Sequence, residues 1–363
     1  MTTMEGKTLN PDRLVETKHG TMPMSEVLDR DREAREKYFG RAIHTGTNYT
    51  IENGDCIRVM HRLKKEGKKF PLAIFSPPFA NLLAYSENDS DMGNSRDDDD
   101  AFHLHYGFFA HALFGVMEPD ANVCLHIQQI VRRKSVHGHM GLYDIRGHII
   151  RLMIEAGFIF YGETTIWKDP QAQSIRTKAH RLQFSQFNKN SMVSAPALAD
   201  YLLVFKMPGE NKRVVVPSKN GLDNNAWIEW ASPIWNTNEE STMYPASCWF
   251  DIRETACLNN RATVNEVIGE GHKTSETKWA ADERHMCPLQ VDLVRRCVLL
   301  WSNIGDEILT PFAGIGTELV MPLVEGRRAY GIELNPNYVE EAIRNCDGAE
   351  RKVIYDKSVL TLF

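Results

Sequence analysis

No C-x-x-C pair occurs among the seven cysteines of this 363-residue chain (Cys56, Cys124, Cys248, Cys257, Cys287, Cys297 and Cys346), and their number is odd. That argues against a zinc knuckle and against a disulfide scaffold, and it suits a reducing compartment. Long apolar runs are missing as well: none approaches the roughly 20 residues that cross a bilayer. The amino terminus, MTTMEGKTLNPDR, has no apolar secretory core. The chain is therefore expected to be soluble, cytoplasmic and off the membrane. Excess positive charge is also lacking, with 42 Lys and Arg against 48 Asp and Glu and a net charge of −6. A basic coat is excluded, so a nucleic-acid partner would have to be gripped by a local patch. Hydrophobic residues at 42% and charged residues at 25% rule out disorder, collagen and a coiled-coil rod.

What is present is a layered rhythm. The length leaves room for one large domain or two modest ones with a substantial core. Residues 1–45 read as a polar arm with a helix-like stretch at 25–38. From there to 207, apolar strands at 49–51, 72–75, 122–127 and 158–167 alternate with helical spacing at 56–65, 106–117 and 145–156, and 201–206 adds one more core strand. Strand alternating with helix predicts an α/β domain with a mostly parallel sheet. The rhythm breaks at 208–281, an irregular, tryptophan-rich insert whose tryptophans are expected to form its own small core. It returns at 282–363 with helices at 288–301, 317–325 and 338–345 and strands at 307–309 and 329–334. The acidic run 87–100 reads as a solvated loop.

Two stretches carry chemistry. In residues 307–337, EILTPFAGIGTELVMPLVEGRRAYGIELNPN, a strand runs into a turn holding Gly314 and Gly316, and a helix opens at Thr317. Glycines let backbone approach a ligand closely, and the helix start aims amides at it. The next strand ends in Glu333, where an acid can accept hydrogen bonds from ribose hydroxyls. Leu319 occupies the place of the third glycine in a dinucleotide fingerprint. The turn is thus better suited to a nucleoside without a pyrophosphate, such as S-adenosylmethionine.

The other stretch is 72–79, LAIFSPPF. An apolar strand stops at Ser76, and Pro77, Pro78 and Phe79 follow. Prolines fix φ and offer carbonyls without competing N–H donors. A Ser oxygen beside a rigid Pro carbonyl makes an acceptor pair for an exocyclic amino group, and Phe79 can stack on a planar base. Taken alone, Pro-Pro at a strand end favours a simple rigid turn.

With both motifs in one chain, the sequence resembles the amino-methylating DNA methyltransferases, which act on N4 of cytosine or N6 of adenine. SPPF first and TPFAGIGT with GIEL last looks like the circularly permuted order of the family's β group. The resemblance implies a Rossmann-like methyltransferase fold with S-adenosylmethionine as cofactor and double-stranded DNA as partner. Residues 46–207 then form the catalytic half, 208–281 the target-recognition region and 282–363 the cofactor-binding half. Asp55, in Asn53-Gly54-Asp55, looks like the acid that contacts the cofactor's adenine. Ile166-Trp167-Lys168-Asp169-Pro170 resembles the strand end before the recognition region. Cys287 and Pro288, in HMCPLQ, resemble the segment bordering the cofactor's methionine part. Pro311, Phe312, Gly314, Gly316, Thr317 and Glu333 complete the implied cofactor site. One residue departs from the pattern: the family usually has an acid where Thr310 stands.

The chemistry needs no covalent intermediate, in keeping with the absence of any Pro-Cys dipeptide. If the Ser76 oxygen and the Pro77 carbonyl accept the amine's hydrogens, its nitrogen can pyramidalise and free its lone pair. No acid falls between 171 and 199, whereas Arg176, Lys178, Arg181 and Lys189 alternate with Phe184 and Phe187. This stretch reads equally as a DNA-binding segment or a solvated loop. His103, His105 and His111 lack partner spacing for a metal, so none is expected. Ser before Pro-Pro favours cytosine N4. Adenine N6 and a catalytically degenerate DNA-binding module stay as alternatives, and a homodimer is left open.

Overall fold

A strand that is apolar on both faces must be covered on both, and FPLAIF is such a run. In the computed structural model it forms a strand whose Leu72 and Ile74 enter one buried core while Phe70, Ala73 and Phe75 enter another. The structure describes residues 14–17, 20–23, 43–78, 99–132, 134–168, 189, 192, 198–211, 213–231, 248–249, 252–253, 255–272 and 288–360. The helix expected at 25–38 lies outside them.

In chain order the strands are β1 (Leu14–Thr17), β2 (Gly20–Pro23), β3 (Ile43–Thr45), β4 (Tyr49–Asn53), β5 (Phe70–Phe75), β6 (Met117–Gln128), β7 (Ile130–Arg132), β8 (Gly141–Tyr143), β9 (Ile159–Ile166), β10 (Asp200–Lys206), β11 (Cys248–Trp249), β12 (Glu307–Thr310) and β13 (Arg328–Glu333). The helices are α1 (Cys56–Lys65), α2 (Asp99–Phe114), α3 (Lys134–His137), α4 (Ile145–Glu155), α5 (Asn224–Ala231), α6 (Arg261–Val267), α7 (Val291–Trp301), α8 (Thr317–Val324) and α9 (Pro336–Leu360).

Nine strands make the main sheet, in the order β11-β9-β10-β6-β5-β12-β13-β4-β3. From β6 to β4 the neighbours are parallel, while β10 runs against both β6 and β9, and β3 against β4. The expectation of a mostly parallel α/β sheet is met. Helices α1, α2 and α4 bury their apolar faces on one side of it, and α6 to α9 on the other. In α1 this follows from spacing: Cys56, Val59, Met60 and Leu63 fall on one stripe, Asp55 caps the start by accepting from the Arg58 amide at 2.9 Å, and Arg62, Lys64 and Lys65 sit in the last turn.

Some boundaries differ from expectation. The helix placed at 106–117 is α2, which starts earlier, at Asp99, inside the acidic run. It stops before Gly115, and Met117 already belongs to β6. The last helix runs well past 345. Parts of the region 208–281 join the main body: β11 pairs with β9, and Ile252, Leu258, Val264 and Val267 share the core of α7 and α8. Trp227 is 43% exposed, and Trp230 lies under the Arg296 guanidinium at 4.8 Å, so these two do not form the small core expected of the insert. Among the described residues no helix is long and apolar enough to cross a membrane.

The chain leaves β5 for β6 on one side and β12 for β13 on the other. Between β5 and β12 the direction of winding reverses, and a crevice opens beyond the carboxyl ends of the strands.

Candidate active site

Both chemical motifs emerge into that crevice. Ile308 pairs with Leu72 and Leu309 with Ala73, so continuing the register brings Ser76 and Phe312 out of the sheet at the same level. The rings of Phe75 and Phe312 stand 5.8 Å apart, and Phe312 also meets Phe109 at 4.9 Å. Aromatic packing thus wedges the end of β5 against the turn after β12. Pro77 is buried, and Ser76 and Pro78 are half-buried. Phe79 lies outside the described residues.

The turn is built around two left-handed glycines, Gly314 at φ +50° and Gly316 at φ +94°. A Cβ on Gly316 would stand 3.2 Å from both Cα and Cβ of Ala342, so α9 crowds the position in addition to the left-handed backbone that already strains a side chain there. The Gly314 amide donates to Glu333 Oε2 at 2.8 Å, and the Asn335 amide donates to Oε1 at 2.8 Å. One strand over, the Gly54 amide donates to the Glu333 carbonyl at 2.9 Å, which places Asp55 beside the same strand end. Pro311 and Thr317 are buried. Pro288 is buried just ahead of α7, a helix that packs on α8, while Cys287 lies outside the described residues.

Buried hydroxyls without partners mark this corner. Thr310 Oγ1 and Thr317 Oγ1 have none. Glu318, in the first turn of α8, is buried, and desolvation with a smaller push from Glu333 lifts its pKa to about 8. A glycine turn, a helix start, Glu333 and two orphaned hydroxyls together fit an adenosine-bearing sulfonium such as S-adenosylmethionine.

Behind Ser76 lies a polar chain that sequence reading missed. Ser76 Oγ donates to the His126 carbonyl at 3.3 Å and stands 3.4 Å from His126 Nδ1. His126 Nε2 is 2.9 Å from Asp200 Oδ2, which also pairs with Lys168 Nζ at 2.6 Å. His126 is 7% exposed, Lys168 8% and Asp200 2%. Desolvation would raise the Asp200 pKa, but His126 and Lys168 outweigh it and hold the carboxyl below the usual range. The available signals were a lone His near the end of the buried run NVCLHI and an Asp opening the strand DYLLVFK. Nothing local says that these strands pair.

Of the basic segment, Lys189 is exposed, and Arg176, Lys178 and Arg181 lie outside the described residues. Next to the buried Lys168, Trp167 is 44% exposed.

Comparison with known proteins converges on one group. A family model for N6/N4 methyltransferases, described as DNA methylase, matches residues 70–344. The chain is 35% identical over 98 residues to the type II methyltransferase M.Cfr9I of Citrobacter freundii, covering 26% of this chain and 33% of that one. It is 37% identical over 86 residues to the DNA adenine methyltransferase YhdJ of Escherichia coli, covering 23% and 29%. These alignments span about a third of each relative. Its fold matches that of TTHA0409 from Thermus thermophilus, solved in complex with S-adenosyl-L-methionine, with a TM-score of 0.55 at 17% identity, covering 84% of this chain and 96% of that one.

Proposed function

The chain belongs to the N6/N4 DNA methylase family, and from that premise we propose that it methylates the exocyclic amine of a base flipped out of double-stranded DNA, with cytosine N4 as the target. One observation carries this reading: β5 and β12 are adjacent parallel strands, so Ser76-Pro77 and the 311–317 turn open into one crevice.

The residues on the turn side would hold S-adenosylmethionine. Glu333 would take the ribose hydroxyls and Asp55 the adenine, with Thr310, Thr317 and Pro288 bordering the remainder. When bound, that group supplies a methyl already activated on a sulfonium. The protein's own work is to hold the amine. Ser76 Oγ and the Pro77 carbonyl accept its two hydrogens, which turns the nitrogen lone pair out of conjugation and toward the turn. Arg176, Lys178, Arg181 and Lys189 supply phosphate contacts from a segment without acids.

Ser before Pro-Pro supports cytosine. Adenine N6 is the second reading, because the two amino groups are held alike and YhdJ is by name an adenine enzyme. The acid-free position Thr310 supports a third, a DNA-binding module without catalysis. Labelled-methyl incorporation into unmethylated DNA, followed by identification of the modified base, tests all three. Incorporation by the native protein, lost at least about 100-fold in Ser76→Ala, is the expected result. Normal transfer by Ser76→Ala removes the proposed site, and DNA binding with no transfer selects the third reading.

A further inference from the structure

A buried imidazole, carboxylate and ammonium in a row need a reason, because each ion costs several kcal/mol to desolvate and a well-packed apolar trio would serve stability as well. Here the row ends at the one hydroxyl assigned to the target amine. The three residues also come from three strands: His126 near the end of β6, Lys168 just past β9 and Asp200 at the start of β10. Because β10 runs against its neighbours, its beginning lies at the same edge as their ends.

The direction of each hydrogen bond follows from charge. Lys168 can only donate, and it keeps Asp200 an ionised acceptor. His126 Nε2 must then carry its hydrogen and donate to Asp200 Oδ2. That leaves Nδ1 with a lone pair facing Ser76 Oγ. The second bond of Ser76 is to a carbonyl, which also only accepts. The single Ser76 hydrogen thus has two alternative acceptors, both on His126, the carbonyl and Nδ1. Turned to Nδ1 it can pass to the imidazole, and in either orientation the oxygen lone pairs are left for the crevice. Asp200 Oδ1 is buried without a partner, so the row has no second outlet for a proton.

We propose that His126, oriented by Asp200 and Lys168, fixes the Ser76 hydroxyl as an acceptor and takes up the proton that the target amine gives off. The inference rests on the methyltransferase reading above. Once the amine carries the new methyl in addition to its two hydrogens, it is cationic. One N–H bond breaks and its electron pair stays on nitrogen. That proton joins Ser76 Oγ as the existing Oγ–H proton passes to His126 Nδ1. The amine ends neutral and the imidazole ends as an imidazolium, paired with Asp200. No oxidant or further reactant enters. The charged groups that meet this imidazole are Asp200 from β10 and, through it, Lys168 from the end of β9; Ser76 from the end of β5 is neutral. His126 thus acts through Ser76, as a positioning and proton-accepting residue.

The test is single-turnover methyl transfer against pH for the native protein and His126→Gln, with cofactor and DNA affinities measured on both. The expected result is an approximately 100-fold slower transfer, unchanged affinities, and a pH profile that differs in shape between the two proteins. A variant with native rate and native pH profile overturns the proposal. So does a variant whose affinities fall in step with its rate, which would make His126 merely structural. Nitrogen-15 spectra of the native imidazole supply a readout that needs no variant and no turnover: hydrogen on Nε2 is expected, and hydrogen on Nδ1 overturns the assignment. A native protein that transfers no methyl at all overturns the methyltransferase reading itself, and this inference with it.

Discussion

The amide of Gly314 donates to the carboxylate of Glu333 at 2.8 Å. The turn after β12 is thereby tied to the end of β13, and the acid proposed to meet the cofactor has its carboxylate oriented by the backbone. Its other oxygen is held by the Asn335 amide. In Glu333→Gln one side-chain oxygen becomes an NH2 donor facing a backbone amide, so one of the two bonds is lost and a donor faces a donor. Cofactor affinity is expected to weaken about tenfold, and stability to fall by about 1–3 kcal/mol. Calorimetric titration with S-adenosylmethionine and denaturant unfolding check the two effects. An unchanged affinity would remove Glu333 from the cofactor site.

The reach of the sequence can be read from these same residues. Gly314, Gly316, Thr317 and Glu333 were legible because a glycine turn, a helix start and a terminal acid fall within one local unit, whose geometry is set by short-range sterics. Ser76 and Pro77 were legible as a strand end for the same reason. Their adjacency to the turn was an inference from family order, since register between β5 and β12 joins residues far apart in the chain. His126, Asp200 and Lys168 were not legible as a unit. Each looks like an isolated polar residue in or beside an apolar run, and only the antiparallel placement of β10 beside β6 and β9 brings them together. Trp227 and Trp230 differ from expectation for a related reason: composition suggests a core of their own, but only packing shows Trp227 43% exposed and Trp230 under the Arg296 guanidinium.

Thr310 offers a test of its own substitution. It is fully buried, and its hydroxyl has no partner. Thr310→Asp would place a carboxylate where the family usually has one, at a fully buried position. The unliganded protein is expected to lose about 3 kcal/mol, the cost of an uncompensated buried charge. A cofactor carrying ammonium and sulfonium charge would repay this, with affinity rising about tenfold. Thermal melts with and without S-adenosylmethionine should show a lower starting point and a larger ligand-induced rise. A lower melting point with no larger rise would separate position 310 from the cofactor.

Glu318 makes stability depend on pH. Burial lifts its pKa from an ordinary 4.5 to about 8 in the folded protein. Between those values the folded chain keeps a proton that the unfolded chain has released. Unfolding therefore becomes easier as pH rises through this window, by up to roughly 1.4 kcal/mol per unit, and the slope ends above the folded value. Glu318→Gln, which cannot ionise, should abolish that slope and be the more stable protein above pH 8. Denaturant midpoints on either side of the window decide the matter, and parallel curves for the two proteins would show that Glu318 ionises freely.

Trp167 is a large side chain just past β9, at the carboxyl end of that strand. Lys168 beside it turns inward to Asp200, and Trp167 presents 44% of its surface to solvent. An indole at that edge is placed to stack on a base near the crevice, and such stacking is worth about 1–3 kcal/mol by alanine substitution. Trp167→Ala is expected to weaken DNA binding by that amount while leaving cofactor affinity close to native. Fluorescence anisotropy with a labelled duplex measures the first and calorimetry the second. If DNA affinity stays native, the ring is not a base platform. If the unfolding midpoint falls instead, its buried half is part of the sheet edge, where β9 meets β11.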